Sequence, residues 1–253
     1  MVATTFDSVI NEPNLYVNGM QLVWVDNATL SVTSGACRSN DNSDDLILNS
    51  AVTLDTTKTG LNGLDIGTLA VNESYTVWVL ADVTGFNPTG IIASLSINDA
   101  PLSPDFNYAA RRRIGYFITD SNPNIVSFVS YGINNERYTQ YAAGIEVVTA
   151  GASTVFAGQD LCTPVMGIPR RHAGNSNLIG YFSAVGSSGT ASFAMRPTGN
   201  VTAGVNNAPV VMANGGGMAT MLIGVDGGSN PSIDYAISAG TVNLFVNGYY
   251  DSL

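Results

Sequence analysis

The sequence predicts an all-β protein, read as two consecutive antiparallel β-sandwich domains of jelly-roll type behind a short N-terminal arm. Three observations carry that expectation. Apolar residues come in strand-sized pieces cut by Gly, Asn and Ser. Turn-forming clusters recur every 8–12 residues or so, the rhythm of a sandwich or barrel. No segment sustains the 3.6-residue apolar stripe that an amphipathic helix requires.

The elements follow in order. Residues 1–20 form the arm, mixed in character and carrying the turn-prone Asn11-Glu12-Pro13-Asn14. Gln21–Val25 opens a first domain over residues 21–143, followed by Leu30–Thr33, Leu46–Leu48 and Ala51–Leu54. Tyr75–Leu80 has the aromatic and β-branched content of a central strand. Ile91–Ser96 is next, then Arg113–Thr119 and Ile125–Tyr131, which read as a hairpin around Asp120–Asn124. Strand signals lapse from Asn134 to Gly144, and the domain boundary is placed there. The second domain, 144–253, takes in Ile145–Val148, Asn177–Phe182, Thr190–Met195, Val210–Met212 and Met218–Ile223. Asp226-Gly227-Gly228 then marks a hairpin turn before Ser232–Ile237. In the last segment Val242, Leu244 and Val246 alternate with Asn243, Phe245 and Asn247, as a strand with one buried face requires.

Composition narrows the function. The chain is 45% hydrophobic but only 11% charged, against about 25% charged in an ordinary soluble domain. Its polarity rests on Asn, Ser and Thr, which suit turns and wet sheet faces. The net charge of −10 reflects scarcity of base: Lys58 is the sole lysine, beside eight arginines. Phosphate neutralisation depends on Lys and Arg, so nucleic acid is not an expected partner, nor is an anionic membrane surface. No apolar run reaches the ~18 residues of a membrane-spanning helix. Met1–Asp7 lacks the basic start and apolar centre of a signal peptide. Cys37 and Cys162 are too few and too far apart for a disulfide framework or zinc site, and read as buried free thiols.

Several segments carry a resemblance. Val32–Arg38, Gly63–Gly67, Trp78–Asp82 and Arg112–Asp120 are similar to tailed-bacteriophage virion proteins of the tail-fibre, collar and head-fibre type. Phe193–Gly199 and Val246–Tyr250 resemble the closing β-domain of such proteins. The resemblance spans most of residues 20–253 and carries no catalytic residues. It implies a virion component, a homotrimer that docks onto other virion proteins through its arm. The alternatives are a capsid decoration protein, an adhesin for a host surface glycan and, behind these, a polysaccharide depolymerase.

The residues themselves give chemistry little support. His172 is the only histidine, with no nucleophile elbow near it. Glycoside hydrolysis needs two suitably spaced acids. Yet Asp41, Asp44, Asp45, Asp55, Asp82, Asp120 and Asp226 sit in turn-like contexts, and the only glutamates are Glu12, Glu73, Glu136 and Glu146. Asp41, Ser43 and Asp45 have the spacing of a calcium loop's first ligands, but Leu46 and Val52 replace its glycine and bidentate glutamate. No catalytic, cofactor or metal residues are assigned. Arg111, Arg112 and Arg113 read equally well as carboxylate partners across a subunit contact or as a solvated guard on an edge strand. Trp24 and Trp78, inside apolar strands, read as core rather than as sugar-stacking residues. No cluster of exposed aromatic residues is apparent, which weighs against the adhesin.

Overall fold

The computed structural model describes residues 16–82, 89–96, 108, 110–132, 134–162, 166–170, 179–186, 193–198, 210–212, 218–224 and 231–253, the segments 210–212 and 218–224 by their backbone alone. The described chain is all β. Its first strands are short: β1 (Val17–Gly19), β2 (Leu22–Trp24), β3 (Thr29–Val32), β4 (Gly35–Arg38), β5 (Asp45–Leu48), β6 (Val52–Asp55) and β7 (Gly63–Leu64). Longer ones follow in β8 (Ser74–Ala81), β9 (Gly90–Ser94) and β10 (Ala110–Ile118), then β11 (Phe128–Tyr131) and β12 (Glu136–Gly151). The rest are β13 (Ala157–Asp160), β14 (Ile179–Gly186), β15 (Phe193–Pro197), β16 (Val210–Met212), β17 (Met218–Gly224), β18 (Ser232–Ile237) and β19 (Val242–Ser252).

These strands make five sheets, ordered β1-β4-β5, β2-β3-β6, β10-β8-β9-β7, β11-β12-β19-β14-β17 and β13-β18-β15-β16. Every strand pairing is antiparallel except β7 with β9. Strand β8 is central, as its composition demands, and is buried along nearly its whole length. Tyr75, Val77 and Val79 face the main core, whereas Trp78 and Leu80 join Ile92 and Tyr108 in a second cluster. Asparagines with positive φ occupy turns, among them Asn42, Asn62 and Asn72, because a short polar side chain tolerates the left-handed region better than most.

Three expectations are corrected and a fourth, the hairpin around Asp120–Asn124, holds only next to its turn. The lapse of strand signals between 134 and 144 is filled by β12, the longest strand, and the boundary placed at 143/144 falls inside it. Its register with β19 shifts three times, between Gln140 and Ile145, Glu146 and Val148, and Val148 and Gly151; the first and longest falls at the lapse and breaks the alternation there. The main core likewise runs without interruption from Val17 to Tyr249. Residues 17–20 of the arm belong to the body: β1 pairs with β4, and Val17 and Met20 are fully buried. Asp120–Asn124 is a tight turn, with Asp120 accepting from the Asn122 and Asn124 amides. Next to the turn its flanks do pair, Thr119 standing antiparallel to Ile125 and the Val126 amide donating to the Ile118 carbonyl at 3.0 Å; beyond that step they part company, β10 pairing with β8 and β11 with β12. Asp226–Gly228 lies outside the described residues. The segments either side of it do not form a hairpin, because β17 pairs with β14 and β18 with β13 and β15.

Candidate functional site

The five-stranded sheet turns one face to the main core; on the other, open face the described residues Val129, Tyr131, Ile179, Val185 and Tyr250 stand exposed, while Ser183 is buried. In β19 the residues Val242, Leu244 and Val246 point inward, and an irregular step at Asn247-Gly248 shifts the phase so that Tyr249 and Asp251 continue the buried row. Tyr250 therefore faces out. Gly248 makes that step possible: a Cβ there would meet the backbone of Thr139 and Gln140 on β12.

Across the open face runs a row of tyrosines from four adjacent strands. Tyr131 on β11 lies opposite Tyr138 on β12, and Tyr138 opposite Tyr250 on β19. Ile179 on β14 completes that row, and Tyr181 lies opposite Gly248 one step along. Tyr138 is sandwiched, its ring 6.0 Å from Tyr131 and 4.4 Å from Tyr250, while Tyr181 meets it edge-on at 6.3 Å. Cross-strand aromatic pairs of this kind contribute up to about 1 kcal/mol each to a sheet. Much of the row stays in water: Tyr131 is 49% exposed, Val129 52%, Ile179 40% and Tyr250 38%. Burial, with the neighbouring Tyr181, Tyr250 and Tyr131, pushes the Tyr138 phenol up to about 12. The Tyr138 phenol is thus uncharged at neutral pH. This is the cluster that sequence reading missed. Its members are scattered from residue 131 to residue 250, and only strand pairing brings them together.

On the inner face of the same sheet lies a buried ionic group. Arg113 on β10 pairs with Asp251 on β19, both side chains 7% exposed, and donates a second bond to the Ser252 carbonyl at 3.0 Å. Arg137 on β12 donates to the Gly19 carbonyl. Tyr249 donates to the Tyr116 carbonyl at 3.2 Å, and the Arg113 guanidinium stands 4.8 Å over the Tyr116 ring. Arg113 stands opposite Trp78 on β8, just before a register shift between Arg113 and Gly115. Both readings of the arginine run are thereby corrected for Arg113. Its carboxylate partner belongs to the same chain, and it is no solvated guard, although β10 is an edge strand. Arg112 is buried as well, beside Cys37, and Arg111 is partly exposed.

The remaining candidates do not converge. Asp41 accepts from the Ser39 and Ser43 hydroxyls, which hold it down at about 2, and Asp45 pairs with Arg38 at 2.9 Å. The loop's carboxylates thus serve the turn and its flanking strand. Asp55 accepts from Thr57 and Lys58, Glu73 pairs with Arg170, and Glu136 accepts from Ser252. Glu146 lies opposite Phe245 on the open face. Among the described residues no three His, Cys, Asp or Glu side chains are placed to hold a metal ion, and no helix is long and apolar enough to cross a membrane. Glu12, His172 and Asp226 lie outside the described residues. Trp78 is buried, and Trp24, half-buried, donates to the Ile125 carbonyl at 3.2 Å. Cys37 and Cys162 are buried free thiols, which burial pushes up to about 12.

The fold and this face together define an all-β protein whose most developed surface is an aromatic row on an open sheet. No family model, curated protein or solved structure matches the chain.

Proposed function

We propose that this chain is a non-enzymatic structural protein of a bacteriophage particle, a homotrimeric fibre or collar subunit that associates through the open face of its five-stranded sheet. The tyrosine row carries this reading. Tyrosine is enriched where proteins meet, because it buries a large ring at little entropic cost while keeping a polar tip. Charge complementarity favours a second copy as the occupant. The chain's net charge of −10 repels its own kind, but the row itself presents phenols and aliphatic side chains, with Glu136 and Glu146 beside it on the same face, so a contact centred on the row keeps those carboxylates at its rim.

The same row gives the glycan reading one specific support, since Tyr131 and Tyr250 are partly exposed aromatic rings. The stacking counts against it. A sugar lies on an open ring face, and both faces of Tyr138 are taken within the chain.

Sedimentation velocity decides between the readings. The wild-type protein is expected to run as a compact trimer at micromolar concentration, and a Tyr131→Ser, Tyr250→Ser double variant as a folded monomer with unchanged β-type circular dichroism. A wild-type monomer that binds neutral oligosaccharide in a Tyr131-dependent manner would replace self-association with the adhesin reading.

A further inference from the structure

The Arg137 guanidinium is buried with only part of its donor set met. The residue is 7% exposed and its Nη2 donates to the Gly19 carbonyl, but Nε and Nη1 are buried without any acceptor. Leaving N–H groups of a cation unmet in the interior is costly. Beside them lies a cavity of about 10 Å³ lined by Arg137, Asp251, Ser130, Thr139, Tyr249 and Gly115, at the register shift in β10. Gly115 helps to leave it empty. Its φ is +152°, and a Cβ there would come within 2.9 Å of Leu22 Cδ1, which forms the facing wall.

Size and charge select the occupant. A volume near 10 Å³ is about what one water-sized body needs, so sulfate, phosphate and organic acids do not fit. Two guanidinium groups, Arg113 and Arg137, stand against the one buried carboxylate of Asp251, which is bonded to Arg113. Glu136, the next acid along β12, is exposed and takes up the Ser252 hydroxyl. The buried group therefore holds one positive charge in excess. A water molecule would satisfy the orphan N–H groups but leave that charge, which is expensive in a low-dielectric interior. A monovalent anion satisfies both.

We propose that this cavity is a halide site, occupied by chloride in ordinary salt solution, with the Nε and Nη1 hydrogens of Arg137 as its donors and the hydroxyl-bearing Ser130 and Thr139 on its walls. Bound there, the ion would brace β12 and β19 against β10 and the β1–β2 turn.

Two measurements test this. Thermal unfolding is followed while chloride replaces gluconate, an anion too large to enter, at constant ionic strength. The midpoint should rise by several degrees and, once chloride exceeds its dissociation constant, keep climbing with the logarithm of its concentration, as binding to the folded state alone requires. In Arg137→Gln the chloride-dependent rise should vanish, while Arg196→Gln, at a separate ion pair with Asp234, should keep it. Crystals of the wild-type protein soaked in bromide should show an anomalous peak in the cavity beside Arg137, a readout that does not depend on any variant folding. Equal midpoints in chloride and gluconate, or a cavity holding only water in the bromide-soaked crystal, would overturn the proposal.

Discussion

Replacing Asp251 with alanine removes the sole buried counter-charge of Arg113 and the nearest one to Arg137. Both side chains of the Arg113–Asp251 pair are 7% exposed, so the small value of a surface ion pair does not apply. Breaking a buried pair by deleting one partner costs about 3–5 kcal/mol, because the stranded charge stays in the interior. That is a large part of the roughly 5–15 kcal/mol by which a domain is stable. For a chain of this size about 2–4 °C is lost per kcal/mol, so the unfolding midpoint should fall by roughly 6–20 °C. Urea and thermal unfolding, followed by the fluorescence of Trp24 and Trp78, give the number. The Arg113→Leu, Asp251→Leu double variant should recover most of the loss, since apolar replacement of a whole buried pair is often neutral. A cost below about 1 kcal/mol for Asp251→Ala, the range of exposed pairs, would show that the pair is solvated and that it does not tie β10 to β19.

Two further outcomes follow from burial. Cys37 and Cys162, pushed from 9.0 to about 12, should resist thiol reagents in the native protein at pH 8 and react on unfolding. The raised thiols and Tyr138 also set an alkaline limit. The unfolded chain ionises first, so stability is complete below about pH 9 and declines as pH rises towards 12. A urea midpoint that stays flat over that window would contradict it. Deleting residues 241–253 removes Val242, Leu244, Val246 and Tyr249, all at most 2% exposed and worth about 1.5–3 kcal/mol each, and should give insoluble protein. Deleting residues 1–19, which the sequence assigns to an arm ahead of the first domain, should lower the unfolding midpoint, because Val17 and the β1–β4 pairing go with it. An unchanged midpoint would show that β1 contributes nothing to the core.

Strands were legible wherever one face is buried and the alternation is unbroken. Val242 to Val246 is the clearest case, and Tyr75–Leu80 was legible as a central strand because both its faces are apolar. Alternation fails where the register slips, and so β12 reads as a gap up to the shift between Gln140 and Ile145, while Ile145–Val148 beyond it reads as a strand. Turns were legible by their Asp, Asn and Gly, but a turn does not specify which strands its flanks will join; Asp120–Asn124 folds as expected between strands of different sheets. The tyrosine row and the Arg113–Asp251–Arg137 group were out of reach for the same reason. Each gathers residues more than a hundred positions apart, and no local pattern encodes that meeting.

The position of β19 sets the order in which the molecule can be completed. It is an inner strand, seated between β12 and β14, and its pairing of Glu136 with Ser252 closes a loop of more than a hundred residues. Contacts this distant in sequence form slowly, because loop-closure entropy is spent before they return any stability. While the chain is still emerging from the ribosome, β12 has no β19 beside it. The ring of Tyr138 then lacks Tyr250, and Asp251 has not yet reached Arg113. The aromatic row and the buried ionic group therefore arise in one late event on opposite faces of the same strand. A half-made chain offers its neighbours no finished contact surface, and the surface comes into existence only when the interior behind it has locked.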